Sequence, residues 1–221
     1  MAAKETSEDT QQSEVVLSLL TSLNIPNPKI LEVGCANGWL SRKLSRFGGV
    51  TGVDLAESVI EEAKQKAPHI EFIAGDFLTM DLPAQHFDVM IAVETMMYFD
   101  GPAFVNRAAD MLKPGGHIIL VCQNKFVWGR MQWAQVWIQR GSTEIMRNWV
   151  NMKGLIVLLR PMFVIRFKTT IIPDGDKGIL RIANSYKVNA LLRSVLSQEC
   201  MNLIKKKMGL GRHLVVMAKK R

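Results

Sequence analysis

An open, doubly wound α/β sheet is the fold class the sequence predicts, and three observations predict it. Short apolar runs recur from Lys29 onward, segments of helical periodicity separate them, and small or acidic residues follow several of the runs. Strands alternating with helices imply parallel β-α units. Right-handed crossovers then place helices on both faces of the sheet.

The elements follow in order. Val15, Val16, Leu19, Leu20 and Leu23 recur at helical spacing from Ser13, and Asn24-Ile25-Pro26-Asn27-Pro28 ends that helix. The first dozen residues are polar and are expected to be disordered. Lys29–Gly34 reads as a buried strand, Gly38–Arg46 as a helix, Gly49–Asp54 as a second strand and Glu57–Lys66 as a second helix. Ile70–Ala74 and Phe87–Val93 supply the third and fourth strands. A helix from Gly101 to Leu112 and a fifth strand, His117–Cys122, come next. After Cys122 the rhythm breaks. Residues 124–160 read as helix-like and rich in Trp and Met, and Met162–Ile171 returns to a strand. A helical insert from Gly178 to Met208 precedes a last strand, His213–Ala218. No linker marks a boundary, so the 221 residues form one domain.

Composition narrows the function classes. No stretch reaches the roughly 20 apolar residues of a membrane-spanning helix. The nearest run, Gly154–Ile165, is broken by Arg160 and Pro161. The polar, acidic start is unlike a secretory leader, so the cytoplasm is the expected location. Cys35, Cys122 and Cys200 lie far apart, which predicts reduced thiols rather than a disulfide framework or a zinc site. The net charge of +8 is unevenly spread. Residues 1–120 carry 9 basic against 16 acidic side chains, whereas residues 121–221 carry 19 against 4. The basic half is either a solvated surface or the side that meets an anionic partner.

Ligands of such sheets bind beyond the carboxyl ends of the strands, where strand order reverses. The residues at those ends form a coherent set. Glu32-Val33-Gly34-Cys35-Ala36-Asn37-Gly38 follows the first strand, and small residues there allow a tight turn and close backbone approach. Asp54 ends the second strand and can accept from two ribose hydroxyls. Gly75-Asp76-Phe77 ends the third, placing a carboxylate where an adenine amino group could donate. Glu94-Thr95-Met96 ends the fourth, and Leu112-Lys113-Pro114-Gly115-Gly116 precedes the fifth. Each residue also has a purely architectural use, as a cap or a turn. Five in register point to a site. A nicotinamide-binding turn would need glycine at each place of GxGxxG, and Gly34-Cys35-Ala36-Asn37-Gly38-Trp39 does not supply it.

With these motifs, residues 29–122 resemble the class I S-adenosylmethionine-dependent methyltransferases, especially the ubiquinone/menaquinone-biosynthesis-like branch. The resemblance implies a Rossmann-like doubly wound sheet, mostly parallel with an antiparallel last strand. It divides the chain into an N-terminal helical cap (1–28), a cofactor-binding core (29–122) and a substrate-side portion with the final strand pair (123–221). It also implies S-adenosylmethionine as cofactor, with Glu32, Gly34, Ala36 and Gly38 around its amino-acid end. Asp54 would take the ribose, Leu55 would pack on the adenine, and Asp76 and Phe77 would address the adenine. Glu94 would lie close to the methyl donor. Ala36 replaces a frequent family glycine but is small enough to keep the close approach. Quinone-pathway relatives commonly carry a Glu-His pair where this chain has Met97 and Tyr98, so no metal is expected.

Methyl transfer needs alignment more than acid–base assistance. Glu94 and Tyr98 are the candidate bases, with Asp174 and Asp176 more remote. His69, His86 and His117 fall at or before strand starts. The end of the sheet on which His213 sits is not fixed by sequence, so no catalytic histidine is assigned. Tyr98, Asn124, Trp128, Arg130 and Trp133 are the candidate substrate contacts. Trp133 and Trp137 share a helix face at i, i+4. The expected acceptor is a small, ring-containing or anionic metabolite methylated on O or N. A membrane surface is a possible partner through Leu155–Lys168. A nucleic acid is the weaker alternative, through Arg140, Arg147, Arg160 and Lys205-Lys206-Lys207. Oligomeric state is left open.

Overall fold

The structure, a computed structural model, describes residues 7–125, 148–171, 197, 199–200, 203, 206 and 211–221. Helix α1 is Ser7–Ser22, so regular structure begins earlier than the apolar periodicity signals. The strands are β1 (Lys29–Val33), β2 (Gly49–Asp54), β3 (Glu71–Ala74), β4 (Phe87–Val93), β5 (Leu112–Gln123), β6 (Phe163–Ile171) and β7 (His213–Lys220). Between them lie α2 (Ser41–Leu44), α3 (Glu57–Lys66), α4 (Gly101–Met111) and α5 (Met152–Leu159).

All seven strands join one sheet in the order β3-β2-β1-β4-β5-β7-β6. Strands β1 to β5 pair in parallel, whereas β7 pairs antiparallel with both β5 and β6. The last strand therefore inserts between its neighbours. Strand order reverses at β1, whose neighbours are β2 and β4, and this places the crevice expected of a doubly wound sheet.

Side-chain alternation divides the core into two layers. Val89 and Ile91 of β4 and Ile119 and Val121 of β5 face α1, α2 and α3, against Val16, Leu20, Leu44 and Ile60. Met90, Ala92, Ile118 and Leu120 face the opposite side, against Phe104 and Ala108 of α4 and Leu155 and Leu159 of α5. Both faces are covered, which accounts for strands that read as continuous apolar runs.

Among the boundaries that depart from the sequence reading, three are large. Strand β5 starts at Leu112, not His117, because Leu112 already pairs with Phe87 before the register shifts. The expected helix Gly38–Arg46 is regular only over Ser41–Leu44, with turns on either side. Within the segment 124–160, residues 148–151 are not helical, and α5 begins only after Asn151 accepts from the Gly154 amide at 2.8 Å. Helix α4 starts in the same way, with Asp100 accepting from the Ala103 amide at 3.0 Å and a proline in its first turn. The helical insert expected from Gly178 to Met208 lies largely outside the described residues.

Candidate cofactor cleft

The turn after β1 is shaped by three left-handed backbones: φ is +78° at Gly34, +46° at Ala36 and +73° at Gly38. At Gly34 this is obligatory, since a Cβ there would meet the Thr95 hydroxyl at 2.0 Å. The turn is anchored to β2, whose Val53 carbonyl accepts from the Gly34 and Cys35 amides at 2.8 and 3.1 Å. Asp54 completes the anchor. Its Oδ2 accepts from the Ala36 amide at 2.9 Å and its Oδ1 from the Ala56 amide at 3.1 Å. A carboxylate accepts roughly four hydrogen bonds, so Asp54 keeps capacity for ribose hydroxyls.

A cleft of about 660 Å³ opens over the carboxyl ends of β1 to β4. Gly34, Asp54, Leu55, Asp76, Phe77, Thr95 and Tyr98 all contribute to its wall. Leu55 is 76% exposed at the rim, unusual for a large apolar side chain and suited to a ring stacked upon it. Asp76 Oδ1 accepts from the Leu78 amide at 3.0 Å, and the side chain is exposed. The Phe77 ring is only 2% exposed and packs edge-on against Phe99, so Phe77 shapes the wall from behind rather than offering a face. Tyr98 is 52% exposed in the short 3₁₀ turn Met96–Tyr98, across the cleft from Asp54 and Leu55.

Glu32 sits beneath this turn, buried, and accepts a hydrogen bond from the Ser41 hydroxyl. Burial pushes its carboxyl up to about 8, with the Asp54 charge adding and Ser41 opposing. Its side chain therefore supports the loop from below. Cys35 lies alongside, and burial pushes its thiol far above the usual range. Cys35 and Cys122 are both buried free thiols.

Glu94 occupies a second, distinct setting. Its backbone is left-handed, with φ +54°, and its amide donates to the Val121 carbonyl at 2.7 Å. Its carboxylate accepts from Gln12 Nε2 at 2.8 Å and from Gln123 Nε2 at 3.1 Å. The ring Nε2 of His213 lies 2.6 Å from Oε1. That contact is close but misaligned, since Nε2 makes no hydrogen bond of good geometry. Burial alone would raise the Glu94 carboxyl, but His213, Gln123 and Gln12 together hold it below its ordinary value. Glu94, Met96, Met97, Cys122, Gln123, Asn148, Trp149 and Val150 line a narrow crevice adjoining the cleft at Thr95.

Sequence reasoning missed Gln12, Gln123 and His213. Antiparallel β7 begins opposite Gln123, which carries His213 to the carboxyl end of β5, and no local signal encodes that. Asn124 is placed otherwise than expected. It is 1% exposed, and its Nδ2 donates to the Gly211 carbonyl at 2.9 Å, tying the end of β5 to the start of β7. Trp128, Arg130, Trp133, Trp137, Asp174 and Asp176 lie outside the described residues.

Comparison with known proteins bears on the fold and the family. A family profile described as a methyltransferase domain matches residues 30–116. A ubiquinone biosynthesis O-methyltransferase of Coxiella burnetii is 31% identical over 109 residues, covering 47% of each chain. A phthiotriol/phenolphthiotriol dimycocerosates methyltransferase of Mycobacterium leprae is 32% identical over 104 residues, covering 44% of this chain and 38% of that one. The chain thus spans less than half the length of these curated relatives. Among solved structures, the N-methyltransferase NodS of Bradyrhizobium japonicum WM9, in complex with S-adenosyl-L-homocysteine, superposes with a TM-score of 0.67 at 16% identity. The match covers 98% of this chain and 89% of that one. A Pyrococcus horikoshii OT3 protein gives the same TM-score and identity, covering 98% and 92%. The motif set, the sheet order and these likenesses agree: residues 30–116 match a methyltransferase domain, and the sheet has the Rossmann-like fold of S-adenosylmethionine-dependent methyltransferases.

Proposed function

We propose that this chain transfers a methyl group from S-adenosylmethionine to an oxygen or nitrogen of a small metabolite, ring-containing or anionic. The observation that carries this is the cleft at the strand-order reversal, where Asp54, Asp76 and Leu55 supply the chemistry an adenosine needs. Two carboxylates accept from ribose hydroxyls and an adenine amino group, and an exposed leucine covers a ring face. The Gly34–Gly38 turn brings backbone close to the amino-acid end.

The cofactor supplies an electrophilic methyl carbon: the acceptor's lone pair forms the new bond, the carbon–sulfur pair leaves on sulfur, and one acceptor proton is released. The chain's own contribution is alignment and exclusion of water. Tyr98 and Glu94 flank Thr95 at the end of the cleft where an acceptor would approach. Met96, Met97 and Trp149 give the narrow adjoining crevice a mainly apolar wall. The O-methyltransferase and N-methyltransferase names of the relatives support oxygen or nitrogen as acceptor.

Titration calorimetry with S-adenosylhomocysteine tests the reading. Saturable one-site binding is expected, and a folded sample that fails to bind would sink the assignment. A methyl-transfer screen over phenolic, amine and carboxylate metabolites, with product mass detection, then identifies the acceptor class.

One surface favours a membrane-directed version. Val157, Val164 and Phe167 are exposed beside Arg160, Arg166, Lys168 and Arg221, and residues 148–171 contain no acidic side chain. No described helix is long and apolar enough to cross a membrane. Such a face fits the surface of an anionic bilayer. Co-sedimentation with phosphatidylglycerol vesicles that weakens with salt is expected on this version. Equal recovery with and without vesicles removes it.

A further inference from the structure

Three side chains remote in the chain meet Glu94: two amides donate hydrogen bonds to it, and an imidazole nitrogen lies 2.6 Å away without hydrogen-bond alignment. Gln12 comes from α1, Gln123 from the end of β5 and His213 from the start of β7. All three partners are buried, at 3%, 7% and 1% exposure, whereas the Glu94 side chain is 31% exposed. The carboxylate is thus gripped from the protein side and open on the other.

The orientation of the grip is determined. The Trp149 indole donates to Gln123 Oε1 at 3.1 Å. An indole nitrogen can only donate, so the Gln123 amide must turn its oxygen toward Trp149 and its nitrogen toward Glu94. Facing a carboxylate oxygen at 2.6 Å, His213 Nε2 must itself carry hydrogen, because two lone pairs would repel. Gln12 and His213 both address Oε1, and Gln123 addresses Oε2. Oε2 therefore retains acceptor capacity. The left-handed backbone of Glu94 is the other sign of a constrained position.

We propose that His213, assisted by Gln12, is the positioning residue that aims Glu94 at the acceptor, so that Glu94 receives the proton released on methylation. This rests on the methyltransferase reading above. A carboxylate held below its ordinary value by two amide donors and a facing imidazole is a weak base, and that suits the reaction. The acceptor hydroxyl or amine becomes far more acidic as its lone pair is drawn into the new bond to carbon. Its proton passes late to Oε2, and from there to water. Before that moment the same hydrogen bond directs the acceptor's lone pair, which is where alignment gains most. A purely architectural ion pair would account for the burial of His213. It would not require a carboxylate that remains 31% exposed at the end of the cleft.

Among the described residues, the titratable groups facing Glu94 from the packed elements are His213 of β7 and the Cys122 thiol of β5. From α1 only the uncharged Gln12 amide reaches it. The thiol is pushed up to about 12 by burial and by Glu94, so it stays neutral over the working range. Any shift seen on altering His213 therefore reports on the grip itself.

The test is a carbon-13 titration of the glutamate carboxyls in the full chain saturated with S-adenosylhomocysteine, the Glu94 signal being assigned by its loss in Glu94→Gln. His213→Leu keeps the bulk and removes the donor. It should raise the Glu94 midpoint by about one pH unit. His213→Gln, which restores a donor, should bring it most of the way back. Gln12→Ala should move it in the same direction by less, and carries the test alone if His213→Leu does not fold. With an acceptor from the methyl-transfer screen, His213→Leu should lower kcat by about tenfold or more. KM for the cofactor should be unchanged, and the acidic limb of the kcat profile should move to higher pH. An unmoved Glu94 midpoint and acidic limb in both donor-removing variants overturns the proposal. Failure of S-adenosylhomocysteine to bind the wild-type chain overturns the methyltransferase reading instead, and calorimetry registers that separately.

Discussion

Asp54 and Glu94 are two carboxylates at the same end of one sheet, held in opposite ways. Asp54 is fixed by backbone amides within 18 residues of it, those of Ala36 and Ala56. Glu94 is fixed by side chains 82, 29 and 119 positions away, from Gln12, Gln123 and His213. The first arrangement follows from a single β-α-β unit. The second exists only when α1, β5 and β7 have all docked. On the proposed function, cofactor recognition is thus built locally, and control of the acceptor end is built from elements distant in the chain. The difference fits their tasks: the cofactor is common to many such enzymes, and the acceptor is particular to each.

The comparison can be broken most severely at Gly34→Ala. A methyl group 2.0 Å from the Thr95 hydroxyl, on a backbone at φ +78°, has nowhere to go. Overpacking and left-handed strain together should cost about 3 kcal/mol or more. Chemical denaturation should show that loss, and a wild-type midpoint would mean the cofactor turn is not the rigid local unit described.

Next comes Asp54→Ala, which removes the support of the Ala36 amide together with the ribose acceptor. Loss of two charge-assisted hydrogen bonds to a ligand should weaken S-adenosylhomocysteine by about 100-fold. Calorimetry at fixed pH reads this directly. Affinity within a factor of three of wild type would move ribose recognition elsewhere.

The pH dependence of Glu32 sharpens the local half further. Its carboxyl is raised in the folded chain from 4.5 to about 8 by burial. Between those values the folded state binds a proton that the unfolded state has released. Its contribution to stability is therefore present at low pH and lost as pH rises toward 8, amounting to a few kcal/mol at most. Glu32→Gln should flatten that slope, so its melting temperature should gain on wild type at pH 8.5 and not at pH 5. Parallel melting curves at the two pH values would show that Glu32 stays ionised on folding.

The smallest effect is expected at Ala36, where φ is +46°. Glycine relieves the left-handed strain of a Cβ, about 1 kcal/mol, and offsets part of this by freeing the unfolded chain. Ala36→Gly should therefore leave stability level or raise it by roughly 0.5 kcal/mol, with cofactor affinity intact. A clear loss of stability would mean that the Ala36 methyl packs against something the turn needs.

Much of this was legible in the chain. The alternation of runs from Lys29 to Cys122 points to parallel pairing, because segments long enough to cross the sheet, mostly helical, separate the strands. Asp54 and Gly34 were legible for the same reason, since a strand and the turn that follows it are encoded side by side. The length of β5 was less so, because Pro114 and Gly115 read as a turn although Leu112 pairs with Phe87. Asn124, expected among the substrate contacts, is buried in a structural role. Its amide closes the gap between β5 and residue 211, a partnership that sequence distance conceals.

Local order along the chain thus determined the sheet, its core strands and the cofactor end, since those depend on hydrogen bonds and periodicities spanning a few residues. Tertiary structure alone decided where β7 enters, and with it the meeting of Gln12, His213 and Glu94. The physical reason is register. An antiparallel strand inserted between β5 and β6 puts its first residue, not its last, at the functional end of the sheet. Which residues then meet is set by the pairing of Gln123 with His213, across a separation no short-range pattern can carry.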